Sequence, residues 1–199
     1  MGRNKQLLAV GGETVVRRTA RIVLESCSDV VVVTGSEAGA VAAALEGLPR
    51  LSVVENTAWQ AGMVGSAQEG AAILLARLAS GENFGGFFVH HGDMPFVDPD
   101  VFSALAAVWD GFGPSEKIAL AAARDGRGGH PVLFPASRLR RLLDLGPGER
   151  LKRVLEEGGY SLVETNCDAV LEDIDTQDEY IRLLGKYGFG EAVGQGEDH

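Results

Sequence analysis

Asp29-Val30-Val31-Val32-Val33-Thr34-Gly35 is the stretch of sequence that decides the fold. A continuous run of β-branched residues that ends at a glycine is typical of a strand buried on both faces of a parallel sheet. Apolar residues before this stretch recur at helical spacing and predict a helix that begins near Thr14: Val16, Ala20, Val23, Leu24 and Cys27. A helix that leads directly into a buried strand is a unit from which α/β domains are built.

The alternation of strands and helices continues along the chain. Apolar runs predict strands at 51–55 and 87–90, with a helix over 67–78 between them. Pro99 suits the first turn of another helix, over 101–109. Further strands are predicted at 118–122, 132–134 and 161–164, and further helices at 138–145, 149–157 and 178–186. Strands separated by helices predict an α/β domain in which a mostly parallel sheet is covered by helices on both faces.

The domain is expected to span residues 1–187. The tail at 188–199 is rich in glycine and acidic residues without periodicity, so we expect it to be disordered. The chain opens with Met1-Gly2-Arg3-Asn4-Lys5 and reaches its first helix almost at once, whereas an α/β sheet normally begins with a strand. We therefore expect the first strand and part of the loop after it to be missing from this sequence.

Composition excludes several classes of function. The 199 residues carry a formal net charge of −10, and no basic stripe is present that could neutralise the phosphates of a nucleic acid. No apolar run approaches the roughly 20 residues that span a bilayer. Cys27 and Cys167 have no neighbours at metal-ligand spacing and are typical of a reducing compartment. We expect a cytoplasmic protein with no nucleic-acid partner and no membrane partner.

Two predicted strand ends carry acidic residues suited to a metal ion. Gly92-Asp93-Met94-Pro95 follows the strand at 87–90, and Asp173-Ile174-Asp175-Thr176 precedes the last helix. Parallel strands present their carboxyl ends at one edge of a sheet, so we expect Asp93 and Asp175 to meet there. Mg²⁺ takes one or two carboxylates together with substrate phosphates. The alternative is that each segment merely caps the turn or helix that follows it.

Three other segments carry weaker signals. The loop at 56–66 precedes a helix and could bind an anion through backbone amides, and its Trp59 is either a core lid or a stacking platform. Arg3 and Lys5 could bind a triphosphate, although terminal charges are often only solvated. His130, which precedes a proline, belongs either to a structural turn or to a substrate site. His90 and His91 are neighbours on a strand, so they are expected to point to opposite faces and not to share a metal.

These segments, taken in order, resemble the nucleotidyltransferase family that includes the molybdenum-cofactor cytidylyltransferases and guanylyltransferases. Each match is modest, but together they span residues 1 to about 185 and become specific. The matching stretches are Met1 to Leu8 with Gly11-Gly12, Asn56 to Ser66, Gly92 to Pro95, Gly129 to Phe134, and Asp173 to Thr176. The stretch at 56–66 is similar to the cytidylyltransferase branch. The family signature starts with a strand and a glycine-rich loop of which this sequence holds only the second half.

The resemblance implies a Rossmann-like three-layer α/β/α sandwich and an Mg²⁺-dependent nucleotidyltransferase. The enzyme would move a nucleoside monophosphate from CTP to a phosphorylated acceptor, molybdopterin, and release pyrophosphate. Lys5, Asp93 and Asp175 would be catalytic, with the two carboxylates as metal ligands. The residues implied to bind substrate are Arg3, Asn56, Trp59, Gly62, Met63, Ser66, Gly92, Pro95 and His130. A molybdoenzyme client would receive the product.

Two alternatives stay open. One is a related nucleotidyltransferase that uses a sugar phosphate or another small phosphate, because one fold hosts several such activities. The other is a non-catalytic module that binds or delivers molybdopterin, which the missing first loop would favour. Release of pyrophosphate separates the enzymes from the delivery module.

Overall fold

Strands and helices alternate along residues 4–113, 117–146 and 148–190, which the computed structural model describes. The strands are β1 (Ala9–Val10), β2 (Glu13–Thr14), β3 (Val30–Thr34), β4 (Leu51–Glu55), β5 (Gly86–Val89), β6 (Ala119–Arg124), β7 (Arg127–Pro135) and β8 (Tyr160–Glu164). The helices are α1 (Val15–Ser26), α2 (Ala38–Leu45), α3 (Met63–Ala79), α4 (Pro99–Asp110), α5 (Leu139–Leu143), α6 (Leu151–Glu157) and α7 (Gln177–Lys186). In these ranges no helix is long and apolar enough to cross a membrane.

The strands form three separate sheets within the described residues, and the largest is mixed. β1 pairs antiparallel with β2, and β3 pairs parallel with β4. The third sheet has the order β5-β7-β6-β8, in which only β6 and β8 are parallel. The α/β class is as predicted, but the prediction of a mostly parallel sheet does not hold for this largest sheet.

A two-residue turn causes the reversal of direction between β6 and β7. Asp125 and Gly126 have φ angles of 51° and 74°, and the flanking residues Arg124 and Arg127 pair across the turn. Asp-Gly between two strands is a strong hairpin signal because positive φ at both positions matches the twist of antiparallel strands. Strands were predicted at 118–122 and 132–134, but the hairpin that joins β6 to β7 was missed. β7 consequently runs antiparallel to β5 as well.

Apolar residues alternate along the four-stranded sheet and supply a core on each face. Phe88 and Leu120 face the cluster that contains α4 and α7, whereas Phe87 and Ala121 face the cluster that contains α3, α5 and α6. Neighbouring strand residues point to opposite faces, so both faces of this sheet are apolar. Residues of α4 and α7 pack in one of these clusters, and residues of α3, α5 and α6 pack in the other.

β3, by contrast, is less buried than its sequence indicated. Val30, Val31, Val32 and Val33 are all half-buried, although such a run was predicted to be buried on both faces. Within the described residues β3 hydrogen-bonds only to β4, so its other edge contributes no sheet neighbour whose side chains would shield the valines. A small cluster formed by α1 and α2 covers Val32.

The end of α7 shows that ordered structure extends past residue 187. The Gly188 amide donates to the Gly185 carbonyl at 3.4 Å, and the Phe189 amide donates to the Leu184 carbonyl at 2.7 Å. Gly188 has a φ of 79°, so the helix ends in a Schellman motif. The Phe189 ring packs 5.8 Å from that of Phe96. The boundary predicted at 187 therefore falls inside ordered chain, while residues 191–199 lie outside the described ranges.

Candidate active site

The loop after β5 holds Asp93 at the carboxyl end of the strand. The Gly92 carbonyl accepts a hydrogen bond from the Thr19 hydroxyl at 3.3 Å, and the Pro95 carbonyl accepts one from the Arg18 Nε at 2.8 Å. Both donors lie on α1, which therefore fixes the loop from behind. Asp93 is only 9% exposed, and its Oδ1 has no hydrogen-bond partner among the described residues. A buried carboxylate oxygen without a partner is costly, and a cation would satisfy it.

Two more carboxylates reach the same place from the segment that leads into α7. Ile174 is fully buried, and its amide donates to the Asp93 carbonyl at 3.1 Å. Asp173 and Asp175 flank Ile174, and the carboxylates of both come close to that of Asp93. One oxygen from each of Asp93, Asp173 and Asp175 lies within 4.8 Å of the others. We call these three residues the acidic cluster.

Lys5 joins the acidic cluster from the amino-terminal turn. Its Nζ lies 2.6 Å from Asp93 Oδ2 and 2.6 Å from Asp175 Oδ1. Burial alone would lower the pKa of the Lys5 ammonium, but hydrogen bonds to both carboxylates and their charges outweigh burial, so the pKa is raised. Lys5 is therefore a full positive charge between two carboxylates.

Asn4 positions the turn that carries Lys5. The turn spans Lys5–Leu7, and Asn4 caps it by accepting a hydrogen bond from the Gln6 amide at 3.1 Å. The Asn4 side-chain amide also donates to the Ser36 carbonyl at 3.2 Å, just after β3. The turn is thus fastened to the carboxyl end of a strand in a different sheet from Asp93.

The donors of the acidic cluster suit a hard divalent cation. Carboxylate oxygens are the protein ligands that Mg²⁺ prefers, and it completes its coordination with water and substrate phosphates. The pKa of Asp173 is raised, first by burial and then by the charge of Asp175. Such mutual repulsion among carboxylates is what a bound cation relieves. Asp93 and Asp175 could hold the ion, with Asp173 as a third carboxylate beside them.

A second segment, made of the loop between β4 and α3 and the first turn of α3, carries five of the predicted substrate residues. The Asn56 amide donates to the Ser66 hydroxyl at 3.1 Å, and Asn56 Oδ1 accepts from the Ala58 amide at 2.9 Å. Asn56 is 2% exposed, so these two side chains hold the loop against α3. Trp59 and Met63 are 41% and 66% exposed. They are the large apolar side chains that this segment exposes.

This second segment borders the turn that carries Lys5. A Cβ built on Gly35 would overlap the Trp59 Cβ, so the Trp59 side chain rests directly on the Gly35 backbone. Ser36, the next residue, accepts the hydrogen bond from Asn4. The order of contacts runs from the acidic cluster through Lys5 and Asn4 to Gly35 and Trp59. All of these segments follow the carboxyl ends of β3, β4 and β5 or touch those ends.

Three histidines gather beside Asp93. β5 and β7 pair with Val89 opposite Val132, and the same register brings His91 opposite His130 just beyond β5, with ring centroids 3.9 Å apart. His130 Nδ1 lies 3.3 Å from the Val89 carbonyl. His90 instead packs edge-on against Phe102 of α4, so the two neighbouring histidines do point to different surroundings.

The histidine pKa values are low because these rings are buried. Burial, followed by the neighbouring His130 and His91 rings, lowers the pKa of His90 to about 3. Burial and then the His91 ring lower the pKa of His130 to about 4. Both rings are therefore neutral at pH 7. Neither ring nitrogen of His90 has a hydrogen-bond partner among the residues that the structure describes.

The structure thus gathers some of the predicted site residues and separates others. Lys5, Asp93 and Asp175 meet, and Gly92 and His130 lie next to them. Pro95 is buried with its carbonyl turned to α1, and the loop at 56–66 lies on the far side of the Lys5 turn. Arg3 lies outside the described residues. Sequence reasoning missed Asp173 and Asn4, although the alternation around Ile174 was a readable signal for Asp173.

A lysine and three carboxylates gathered beyond the carboxyl end of β5 in an α/β domain form a site of the class that handles metal-bound phosphates. The model of the MobA-like NTP transferase domain matches residues 1–165, and the chain belongs to this family of nucleotidyltransferases. The match ends before Asp173 and Asp175. The assignment of these two residues to the acidic cluster therefore depends on their distances from Asp93 and not on the family match.

The chain is also similar to individual proteins over most of its length and of theirs. The chain is 22% identical over 188 residues to the molybdenum cofactor cytidylyltransferase of Escherichia coli strain K12, covering 94% of this chain and 90% of that protein. A nucleotidyl transferase from Methanothermobacter thermautotroptrophicus superposes with a TM-score of 0.75 at 28% identity, over 92% and 84% of the two chains. Rv0371C from Mycobacterium tuberculosis H37Rv, in complex with manganese, superposes with a TM-score of 0.71 at 26% identity, over 92% and 93%.

Proposed function

We propose that this nucleotidyltransferase moves a cytidine monophosphate group from CTP to the phosphate of molybdopterin and releases pyrophosphate. The observation that carries the proposal is the Lys5 ammonium held 2.6 Å from both Asp93 and Asp175 beyond the carboxyl end of β5. The printed name of the Escherichia coli relative supports the choice of CTP and of a molybdenum-cofactor acceptor. The manganese in the mycobacterial neighbour supports a divalent cation, for which we propose Mg²⁺.

The proposed reaction is a single displacement at phosphorus. An oxygen of the acceptor phosphate forms a bond to the α-phosphorus of CTP, and the bond from that phosphorus to the β-phosphate oxygen breaks. Pyrophosphate leaves with the electron pair. Such a reaction needs positioning and charge neutralisation more than covalent help.

The catalytic residues would act on charge. Asp93 and Asp175 would hold the Mg²⁺, which supplies charge neutralisation at the phosphate oxygens when bound. Lys5 would donate hydrogen bonds to the triphosphate as a compact positive charge on a flexible stem. Arg3 is proposed to assist Lys5. Gly92 would allow a phosphate to approach the backbone, because it has no side chain to block it.

The acceptor would lie on the loop between β4 and α3. Trp59 and Met63 expose apolar side chains there, and an exposed indole offers a face on which a flat pterin ring could stack. Gly62 begins α3 with a φ of 112°, and Asn56 and Ser66 would support the loop from beneath. Pro95 and His130 are proposed to shape the substrate side of the Asp93 loop.

The proposal also includes a cytoplasmic location and a molybdoenzyme as the protein that receives the product. The free thiols of Cys27 and Cys167 suit a reducing compartment.

Pyrophosphate release tests the proposal. The purified protein is incubated with Mg²⁺, molybdopterin and each of the four ribonucleoside triphosphates in turn, and pyrophosphate is measured. We expect release with CTP that requires the acceptor, and loss of release in Asp93→Asn. Asp100→Asn, an exposed acid in the first turn of α4, is the matched control and should keep the activity. Binding of molybdopterin without pyrophosphate release from any triphosphate would instead identify a delivery module.

A further inference from the structure

We infer that Lys5 is a tethered cation that occupies the position of the divalent ion until a nucleotide draws it away. The inference rests on the proposed function, because it assumes that the acidic cluster binds a metal ion together with a triphosphate. It adds a role for Lys5 before substrate arrives, and it predicts that a metal ion alone must compete with this lysine.

The distances around Lys5 define the competition. The ammonium nitrogen lies 2.6 Å from Asp93 Oδ2 and 2.6 Å from Asp175 Oδ1. A Mg²⁺ ion bound by the same two oxygens would lie about 2.1 Å from each of them. An ion at that distance on the same side would overlap the ammonium nitrogen. The lysine and the metal therefore cannot bridge these two oxygens from one side at the same time.

Charge explains why the position is filled when no metal is bound. The three carboxylates of the acidic cluster lie within 4.8 Å of one another, and Asp93 is almost fully buried. Carboxylates at this separation repel each other unless a cation lies between them, and the repulsion is screened least at Asp93, the buried member. The Lys5 ammonium supplies one positive charge, which is fewer than the three negative charges that the acidic cluster carries when all its carboxylates are ionised. Asp93 Oδ1 has no hydrogen-bond partner within residues 4–113, 117–146 and 148–190, so the cluster retains an oxygen that could bind a divalent ion.

The attachment of Lys5 allows it to leave without unfolding the turn. Asn4 fastens the turn to the Gln6 amide and the Ser36 carbonyl, and neither bond uses the Lys5 side chain. The Lys5 side chain is 33% exposed, so it already borders solvent. A flexible lysine stem can therefore move its ammonium from carboxylate oxygens to phosphate oxygens.

Metal and nucleotide binding would consequently be coupled. A bare ion has to displace Lys5 and leave the ammonium without a partner, which weakens its binding. A metal–nucleotide complex brings phosphate oxygens that accept the displaced ammonium, so the exchange conserves its ion pairs. The site would therefore bind a metal ion weakly when the ion is alone and tightly when the ion comes with a triphosphate.

Manganese binding without nucleotide tests this inference. Free Mn²⁺ is measured by its electron paramagnetic resonance signal during titration of the wild type, Lys5→Met and Lys5→Arg. We expect Lys5→Met to bind Mn²⁺ at least tenfold more tightly than the wild type, because the competing cation is gone. Lys5→Arg keeps the charge and should bind as weakly as the wild type. Lys152→Met, which removes an exposed surface lysine, should also resemble the wild type.

Outcomes of the titration separate the two proposals. Unchanged or weaker Mn²⁺ binding by a folded Lys5→Met protein would overturn the inference, whatever the pyrophosphate assay shows. Tighter binding together with no pyrophosphate release from the wild type would instead remove the proposed function.

A second measurement uses the wild type only and so does not depend on whether the variant folds. The ¹⁵N resonance of the Lys5 ammonium should shift on saturation with Mg²⁺ alone, and a resonance that does not move would contradict displacement.

Discussion

The backbone amide of Ile174 donates a hydrogen bond to the backbone carbonyl of Asp93 at 3.1 Å. This bond joins the loop after β5 to the segment before α7, and Ile174 is fully buried beside it. The spacing of the acidic cluster is therefore set by the backbone and by a core side chain. Removal of a carboxylate charge should consequently change the chemistry of the site and leave its framework in place.

The first prediction concerns the two carboxylates that contact Lys5. Asp93→Asn and Asp175→Asn should each lower kcat for pyrophosphate release by roughly a hundredfold or more, since loss of a metal-bound charge is worth several kcal/mol at about 1.4 kcal/mol per decade. The double variant should lose little more than the worse single one, because both residues serve one ion.

The measurement is steady-state pyrophosphate release at saturating substrates, with urea unfolding as a check on the framework. Fully additive losses in the double variant would mean that the two carboxylates act independently, which is against a shared ion. A collapse of the unfolding transition would mean that the Ile174 bond does not hold the loops together.

Much of the element order could be predicted because it depends on local pattern. β3 and β4 follow from apolar runs bounded by Gly35 and Asn56, and α1 begins at Thr14, whose hydroxyl accepts from the Arg17 amide at 3.3 Å. The direction of β7 was missed because the strand was predicted only at 132–134, whereas β7 begins at Arg127, directly after the Asp125-Gly126 turn. The half-burial of Val30 to Val33 depends on neighbouring strands, so no local pattern could reveal it.

In the candidate site, too, some features could be predicted from the sequence and others could not. Asp93 and Asp175 were predicted to meet because strand ends share an edge, and this reason holds only for Asp93, which follows β5. Asp175 follows a helical turn at Asp168–Leu171 instead of a strand, and the hydrogen bond from Ile174 to Asp93 brings it to the site. The position of Lys5 between them depends on the Asn4 cap and on the path of one side chain, and neither has a periodic signal. Asp173 was set aside in favour of Asp175, although both flank Ile174. The burial of Ile174 is what turns both carboxylates to the same side.

The second prediction is a loss of stability in acid that comes from His90 and His130. Their folded pKa values of about 3 and 4 are below the ordinary value of 6.5. The unfolded chain therefore binds more protons between pH 6.5 and pH 4, and folding stability falls as pH falls through this window. From pH 7 to pH 5 the expected loss is about 1–2 kcal/mol for each histidine.

Urea unfolding of the wild type and of His90→Phe at pH 7 and pH 5 measures this loss. Phe removes the titrating group and keeps a ring against Phe102, so the variant should lose less stability than the wild type on acidification. Parallel losses in the two proteins would show that His90 does not contribute.

The third prediction concerns the backbone at Gly62. Its φ of 112° and ψ of 178° belong to a region that is essentially restricted to glycine. Gly62→Ala should lower the free energy of unfolding by about 1–3 kcal/mol. Gly39→Ala is the matched control, because Gly39 lies within α2, where a Cβ meets nothing within 4 Å. There alanine should be neutral or stabilising by up to about 1 kcal/mol. Equal effects at the two positions, measured by urea unfolding, would contradict the strain at Gly62.

The last prediction is that Trp59 contacts the acceptor. Trp59 is 41% exposed and its side chain rests on Gly35, so its loss should cost little stability. Trp59→Ala should raise KM for molybdopterin about tenfold, because stacking of a flat ring on an indole is worth on the order of 1 kcal/mol or more. The KM for CTP should stay unchanged. Indole fluorescence gives a second measurement. The Trp59→Phe variant retains only Trp109, which is 7% exposed, so its fluorescence is the Trp109 contribution alone. The wild-type signal minus that of Trp59→Phe should respond to molybdopterin and not to CTP alone. An unchanged difference signal at saturating acceptor, together with an unchanged KM in Trp59→Ala, would place the acceptor elsewhere.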